Sequence, residues 1–138
     1  MTGKYEILDH PADAKFRATG DSIEEAFSAS VEAFSEIVRG DSGMYNHKIK
    51  VESENLDALL FDFLDELIFL QDSRGIVVSH ASEMDIEELD KGWRLEANIM
   101  TDDITSEVDF LDVKGPTYSE MDVGFDDGKW YAQAVIDI

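Results

Sequence analysis

The sequence has no cysteine. Disulfides, zinc–thiolate sites, iron–sulfur clusters and cysteine nucleophiles are therefore excluded, and a reducing, cytoplasmic setting is the expectation. Proline is scarce, with 2 in 138 residues. No Pro-rich, low-complexity or linker segment interrupts the chain, which reads as a single domain over residues 1–138. Basic residues are also few: Lys and Arg number 11 against 32 Asp and Glu, a net charge of −21. Gripping a phosphate backbone needs clustered Lys and Arg, so no strong direct nucleic-acid binding is expected. Docking on a basic partner, or gathering metal cations, suits the charge better. Long hydrophobic runs are missing as well. The most apolar stretch, Leu59 to Leu70, carries Asp62, Asp65 and Glu66, and is too short and too charged to cross a bilayer. The opening MTGKYEILDHPADAKFRATG holds no apolar signal-peptide core, so neither secretion nor membrane attachment is expected.

What is present suffices for a core: 43% of residues are apolar, above the range of charge-rich disordered chains. Residues 4–9 and 15–19 read as short strands around the turn His10-Pro11-Ala12-Asp13, because Pro11 biases His10 away from helical backbone. Asp21 or Ser22 opens a helix. Asp21 with Glu24 has capping-box spacing, and Ile23, Ala26, Phe27, Val31, Phe34 and Val38 form one apolar face. Gly40 is a stop signal. Residues 45–52 alternate as a strand. Asn55 caps a second helix over about 55–72, whose stripe is Leu56, Leu59, Leu60, Phe63, Leu64 and Leu67. Beyond Gly75 the period becomes two. Strands are expected at 76–80, 83–89, 93–100, 117–125 and 129–136, with Asp126-Asp127-Gly128 as a hairpin turn. Residues 104–125 are the hardest stretch to assign, the strand at Thr117 to Phe125 included. This order predicts an α+β fold: a mainly antiparallel sheet with two amphipathic helices on one face.

Familiar catalytic signatures are absent. There is no G-x-G-x-x-G and no G-x-S-x-G. Gly124 to Lys129 is one residue short of a phosphate loop and lies in a hairpin. The acidic stretch from Asp122 has Asp127 and Gln133 where an EF-hand needs Gly and Glu. His10, His47 and His80 are too scattered for zinc. Trp93 and Trp130 alternate with polar neighbours and read as half-buried sheet residues. Two acidic places remain. Asp9-His10-Pro11-Ala12-Asp13 puts two carboxylates and an imidazole in one tight turn, and the sequence closes on Val135-Ile136-Asp137-Ile138. If the last strand lies beside the first, Asp137 and a terminal carboxylate on Ile138 meet Asp13. Such anions repel one another, and a hard divalent cation with oxygen ligands would relieve that. Asp is equally common in turns as a cap for backbone N–H groups, and the residues alone leave both readings open. Lys114, one of few basic residues, is either a surface lysine at a strand entrance or a contact for phosphate or a partner.

The same residues resemble a known family. Tyr5-Glu6-Ile7-Leu8-Asp9-His10-Pro11-Ala12-Asp13 is similar to the archease signature Y-E-x-L-D-H-T-A-D. Gly20-Asp21-Ser22-Ile23-Glu24-Glu25-Ala26-Phe27 resembles G-D-T-L-E-E-A-F, and Leu59-Leu60-Phe61-Asp62-Phe63-Leu64-Asp65-Glu66 resembles L-L-F-x-F-L-D-E. Val113-Lys114-Gly115-Pro116-Thr117-Tyr118-Ser119 resembles V-K-A-I-T-Y-S, and Ile136-Asp137-Ile138 closes the sequence as in archeases. The resemblance implies a small acidic protein of tRNA splicing that is not itself an enzyme. It would activate the RtcB-type RNA ligase, promoting GTP-dependent guanylylation of the ligase and multiple turnover. It implies a divalent metal site of Asp13, Asp137 and Ile138, for calcium first and magnesium or manganese otherwise, and a role in activation for Lys114. An alternative is a chaperone-like partner of a tRNA cytosine-5 methyltransferase. Two departures stand out: Pro11 replaces Thr, and Gly115-Pro116 replaces Ala-Ile, a change expected to shift Lys114 or break the strand.

Overall fold

The computed structural model describes residues 3–8, 13–40, 42–104 and 110–138. Among these, the strands are β1 Lys4–Leu8, β2 Asp13–Gly20, β3 Tyr45–Ser53, β4 Ile76–Leu89, β5 Gly92–Asp103, β6 Gly115–Asp126 and β7 Lys129–Asp137. The helices are α1 Ile23–Val38 and α2 Leu56–Arg74. Every strand pairing is antiparallel, so the α+β expectation holds. The strands divide into two sheets, in the orders β1-β2-β7-β6 and β3-β5-β4. The alternating pattern did not announce that division.

Helix α1 begins where a short polar side chain can reach the third backbone N–H. Ser22 is that cap: its Oγ accepts from the Glu25 N–H at 3.1 Å. The Glu25 carboxylate in turn takes the Asp21 N–H at 2.7 Å. The box is therefore one residue later than Asp21 and Glu24, because the cap must be the residue just before the first helical turn. The helix stops at Arg39, which is left-handed at φ 68°. Gly40 completes this stop, its N–H donating to the Ser35 carbonyl at 2.7 Å, and it has a second purpose. A Cβ there would lie 2.2 Å from the Val78 carbonyl oxygen, so the glycine lets the helix end approach β4. The expected apolar stripe of α1 is buried, and so are Ser28, Ala29, Ser30, Ala33 and Ser35. Burial extends around the helix because α1 packs on β1, β2 and β7 of one sheet and on β4 of the other.

Asn55 caps α2, accepting from the Ala58 N–H at 2.8 Å, and Gly75 ends it at φ 65°. Leu59, Leu60, Phe63, Leu64 and Leu67 are fully buried. Phe63 meets Phe27 with ring centroids 6.3 Å apart, joining the two helices. The buried Gln71 accepts the Val78 N–H at 2.9 Å, tying the end of α2 to β4. The two strands expected at 76–80 and 83–89 are one, β4, with register shifts between Val78 and His80 and between Ala81 and Glu83. Each irregularity flips which residues face inward, which is why a single alternation fails across this stretch. His47 and His80 lie on strands, half-buried and exposed respectively, and Trp93 and Trp130 are half-buried against the core.

Candidate functional site

Strand alternation assigns the site to a face. In β2, Phe16 and Ala18 are buried, whereas Asp13, Lys15, Arg17 and Thr19 are half-buried. Strand β7 pairs so that Phe16 faces Ala134 and Ala18 faces Ala132, while Asp13 faces Asp137, Lys15 faces Val135 and Arg17 faces Gln133. Residues directly opposite each other share a face of the sheet. Asp13 and Asp137 therefore lie on the side away from the helices. Strand β6 extends the row, with Gly115 opposite Asp137. The Lys114 N–H donates to the Asp137 carbonyl at 2.8 Å. Ile138 follows Asp137 and is 40% exposed. The four residues singled out from sequence thus converge at one end of one sheet.

Three details differ from expectation. Asp13 is not a turn residue but the first residue of β2; Asp9, His10, Pro11 and Ala12 lie outside the described residues. Strand β7 lies beside β2 instead of β1, which forms the outer edge. Gly115-Pro116 begins β6 rather than breaking it, with Pro116 in register with Ile136. The reason is position: β6 is an edge strand, where a missing N–H is tolerated. Lys114 consequently keeps its bond to Asp137.

The donor chemistry at this row is carboxylate only. Among the described residues, no group of three His, Asp or Glu side chains is arranged to hold a metal ion. The residues present nevertheless fit a hard cation in kind: Asp13 and Asp137 face each other across the strands, one half-buried and one exposed, and both offer oxygen.

Sequence reasoning missed the polar network beside the row. Lys15 Nζ pairs with Glu120 Oε1 at 2.7 Å. Gln133 Nε2 donates to the Glu120 carbonyl at 2.9 Å, and Arg17 donates to Gln133 Oε1 at 3.3 Å. The Arg17 guanidinium also sits 4.1 Å above the Tyr131 ring, whose hydroxyl donates to Asp122 at 3.0 Å. That bond, then burial and the Asp122 charge, push the Tyr131 hydroxyl above its ordinary value. Lys15 and Arg17 were within reach of the sequence: once Asp13 belongs to the strand, they follow it at a spacing of two on the same face.

Two antiparallel sheets around two helices, with a carboxylate row where the last strand meets the second, define a class of small, strongly acidic α+β proteins. The archease protein family model matches residues 5–138. The archease of Pyrococcus abyssi is 34% identical over 141 residues, covering 98% of this chain and 99% of that one. The archease of Methanothermobacter thermautotrophicus is 31% identical over 138 residues, covering 97% and 98%. A solution structure of a Methanobacterium thermoautotrophicum protein superposes with a TM-score of 0.82 at 29% identity, covering 97% of this chain and 98% of that one. The crystal structure of an archease, described as a possible chaperone, from Thermotoga maritima shares the fold, with a TM-score of 0.62 at 17% identity over 95% and 94% of the two chains. The chain belongs to the archease family. Among the described residues, no helix is long and apolar enough to cross a membrane.

Proposed function

We propose that this protein activates an RNA ligase of the RtcB type in tRNA splicing, in a cytoplasmic setting. It would promote GTP-dependent guanylylation of the ligase and sustain multiple turnover, acting as a protein cofactor and not as an enzyme. The observation that carries this reading is the register of Asp13 opposite Asp137, with Lys114 bonded to Asp137, in a member of the archease family. Asp13, Asp137 and Ile138 would hold a divalent cation, calcium first and magnesium or manganese otherwise. When bound, such a cation supplies positive charge that attracts phosphate oxygens. Asp13 and Asp137 hold their carboxylates in position through the strand pairing. Lys114, exposed just before β6 and tied to the row through its backbone N–H, would offer its ammonium to a partner's anionic group. The net charge of −21 disfavours RNA as the direct partner and suits a basic, RNA-binding enzyme.

The test is RNA ligation with GTP and manganese, ligase limiting and RNA in excess. The wild-type protein should restore multiple turnover and Asp13→Ala should not, while circular dichroism shows both folded. If both activate equally, the carboxylate row plays no part. If neither activates a cognate ligase, a second reading takes over, favoured by the description of the Thermotoga maritima archease as a possible chaperone. There the protein would act as a chaperone-like partner of a tRNA cytosine-5 methyltransferase, and its effect would persist in chelator.

A further inference from the structure

Strand β6 leaves its register with β7 between Thr117 and Asp122. Thr117 pairs with Val135 and Asp122 with Gln133, so residues 118–121 stand against Ala134 alone. Within this bulge Glu120 has φ 61°, a left-handed conformation uncommon for a residue with a Cβ. The bulge is held on several sides. Lys15 binds the Glu120 carboxylate at 2.7 Å, Gln133 binds its carbonyl at 2.9 Å, and the Val123 N–H donates to Asp57 of α2 at 2.9 Å. Bulges of this kind re-aim side chains.

The side chain re-aimed here is Tyr118. It lies on Phe61 of α2 with ring centroids 4.1 Å apart and planes 1° from parallel. Phe61 is half-buried, yet Tyr118 stays 57% exposed. Phe61 covers one face of the Tyr118 ring, and the ring as a whole stays open to water. Acids surround it: after burial, the charges of Asp62, Glu54 and Asp57 push its hydroxyl above the ordinary value. The hydrogen bonds of Asp62 and Asp57 come from neutral groups, the Ser53 hydroxyl at 2.6 Å and the Val123 amide. Among the described residues none of the three acids pairs with a cation. A structured ring beside uncompensated negative charge is complementary to a planar cation. A guanidinium both stacks on an aromatic face and donates to carboxylates, whereas an ammonium is more strongly hydrated and cannot stack. A nucleobase would also stack, but its phosphates would meet three carboxylates.

We propose that the Phe61–Tyr118 stack, with Asp62, Glu54 and Asp57 beside it, is a docking platform for an arginine side chain of a protein partner. The proposal requires neither a cation at Asp13 and Asp137 nor the ligase reading, and it is tested without either. The full chain is titrated by calorimetry with hexa-arginine and, separately, hexa-lysine, which carry equal charge. Hexa-arginine should bind more tightly. Tyr118→Leu should weaken it by roughly twofold to fivefold, the scale of one exposed cation–π contact, and bring it level with hexa-lysine. Tyr118→Phe should retain the preference. Asp62→Asn should weaken binding more than Glu83→Gln, an equal change of charge on the other sheet. On the wild-type protein, ring resonances of Tyr118 should shift with hexa-arginine while those of Tyr45, also exposed, stay in place; this holds the test open should Tyr118→Leu fold poorly. Equal affinity for the two peptides, unchanged binding by a folded Tyr118→Leu, or unmoved Tyr118 resonances would each overturn the proposal. So would tighter binding of a single-stranded oligonucleotide than of hexa-arginine.

Discussion

Replacing Asp137 by Asn separates the two things a carboxylate can do in the β2–β7 row. Asp137 faces Asp13 directly, and like charges opposite each other in an antiparallel pair destabilise it by about 0.2–1 kcal/mol. The substitution is nearly isosteric and leaves the Lys114 N–H bond to the Asp137 carbonyl in place. Asp137 is exposed, so no burial is lost. In chelator at low ionic strength, Asp137→Asn should therefore be the more stable protein by about 0.2–1 kcal/mol. For 138 residues, an unfolding entropy of about 2.1 cal/mol/K per residue makes that roughly 1–3 °C in melting temperature. The margin should shrink with added salt. Calcium should invert the order. At a hundredfold excess over its dissociation constant, a ligand of the folded state adds about 2.7 kcal/mol, and the wild type would gain this while the variant gains less. Urea denaturation of both proteins, in chelator and in calcium, magnesium or manganese, reads the whole pattern. A variant less stable in chelator by more than about 1 kcal/mol would mean that Asp137 makes a structural contact. Equal gains in every cation would remove the row as a ligand set.

Other outcomes follow from individual geometries. Glu120→Ala should cost about 0.2–1 kcal/mol for the partly exposed pair with Lys15, and Glu120→Gly should be more stable than Glu120→Ala by about 1 kcal/mol, because only glycine adopts the left-handed backbone freely; equal denaturation midpoints would refute this. Gly75→Ala, with open space around its Cβ position, should lose about 1 kcal/mol from backbone strain alone. Gly40→Ala should lose more, about 1–3 kcal/mol, since the new Cβ meets the Val78 carbonyl; the reverse order in urea would contradict the packing of α1 on β4. Tyr131 should ionise above the ordinary tyrosine value, and its contribution to stability, present in full below that value, should fade as pH rises through the raised one. Ultraviolet titration of Tyr131→Phe should lose one of the components above the ordinary tyrosine range, beside those of Tyr5 and Tyr118, and an undiminished high-pH component would refute the bond to Asp122.

Both helices are legible in the sequence because their signals are local. Asn55 and the stripe from Leu56 to Leu67 mark α2 through contacts within a few residues, as Ser22 and the stripe from Ile23 do for α1. The terminal strands, the Asp-Asp-Gly hairpin and the family motifs are equally readable, and so are Asp13, Asp137, Ile138 and Lys114 as residues to watch. Less could be read where one pattern serves two structures. The alternation across residues 76–89 looks like two strands because a register shift inverts the faces without ending β4. Alternation cannot assign strands to sheets, since it marks which residues of a strand face a core and not which strand lies beside it. The bulge at Tyr118 leaves no local mark, because Lys15 and Gln133 hold Glu120 from strands distant in sequence. Composition and short-range pattern, which depend on neighbours along the chain, determined the helices, the acidic character and the candidate residues. Only the tertiary structure decided that β7 pairs with β2, that Asp13 faces Asp137 on the side away from the helices, and that Tyr118 stacks on Phe61. Those outcomes depend on which apolar face each strand must turn toward the helices, a choice settled only when the whole core packs.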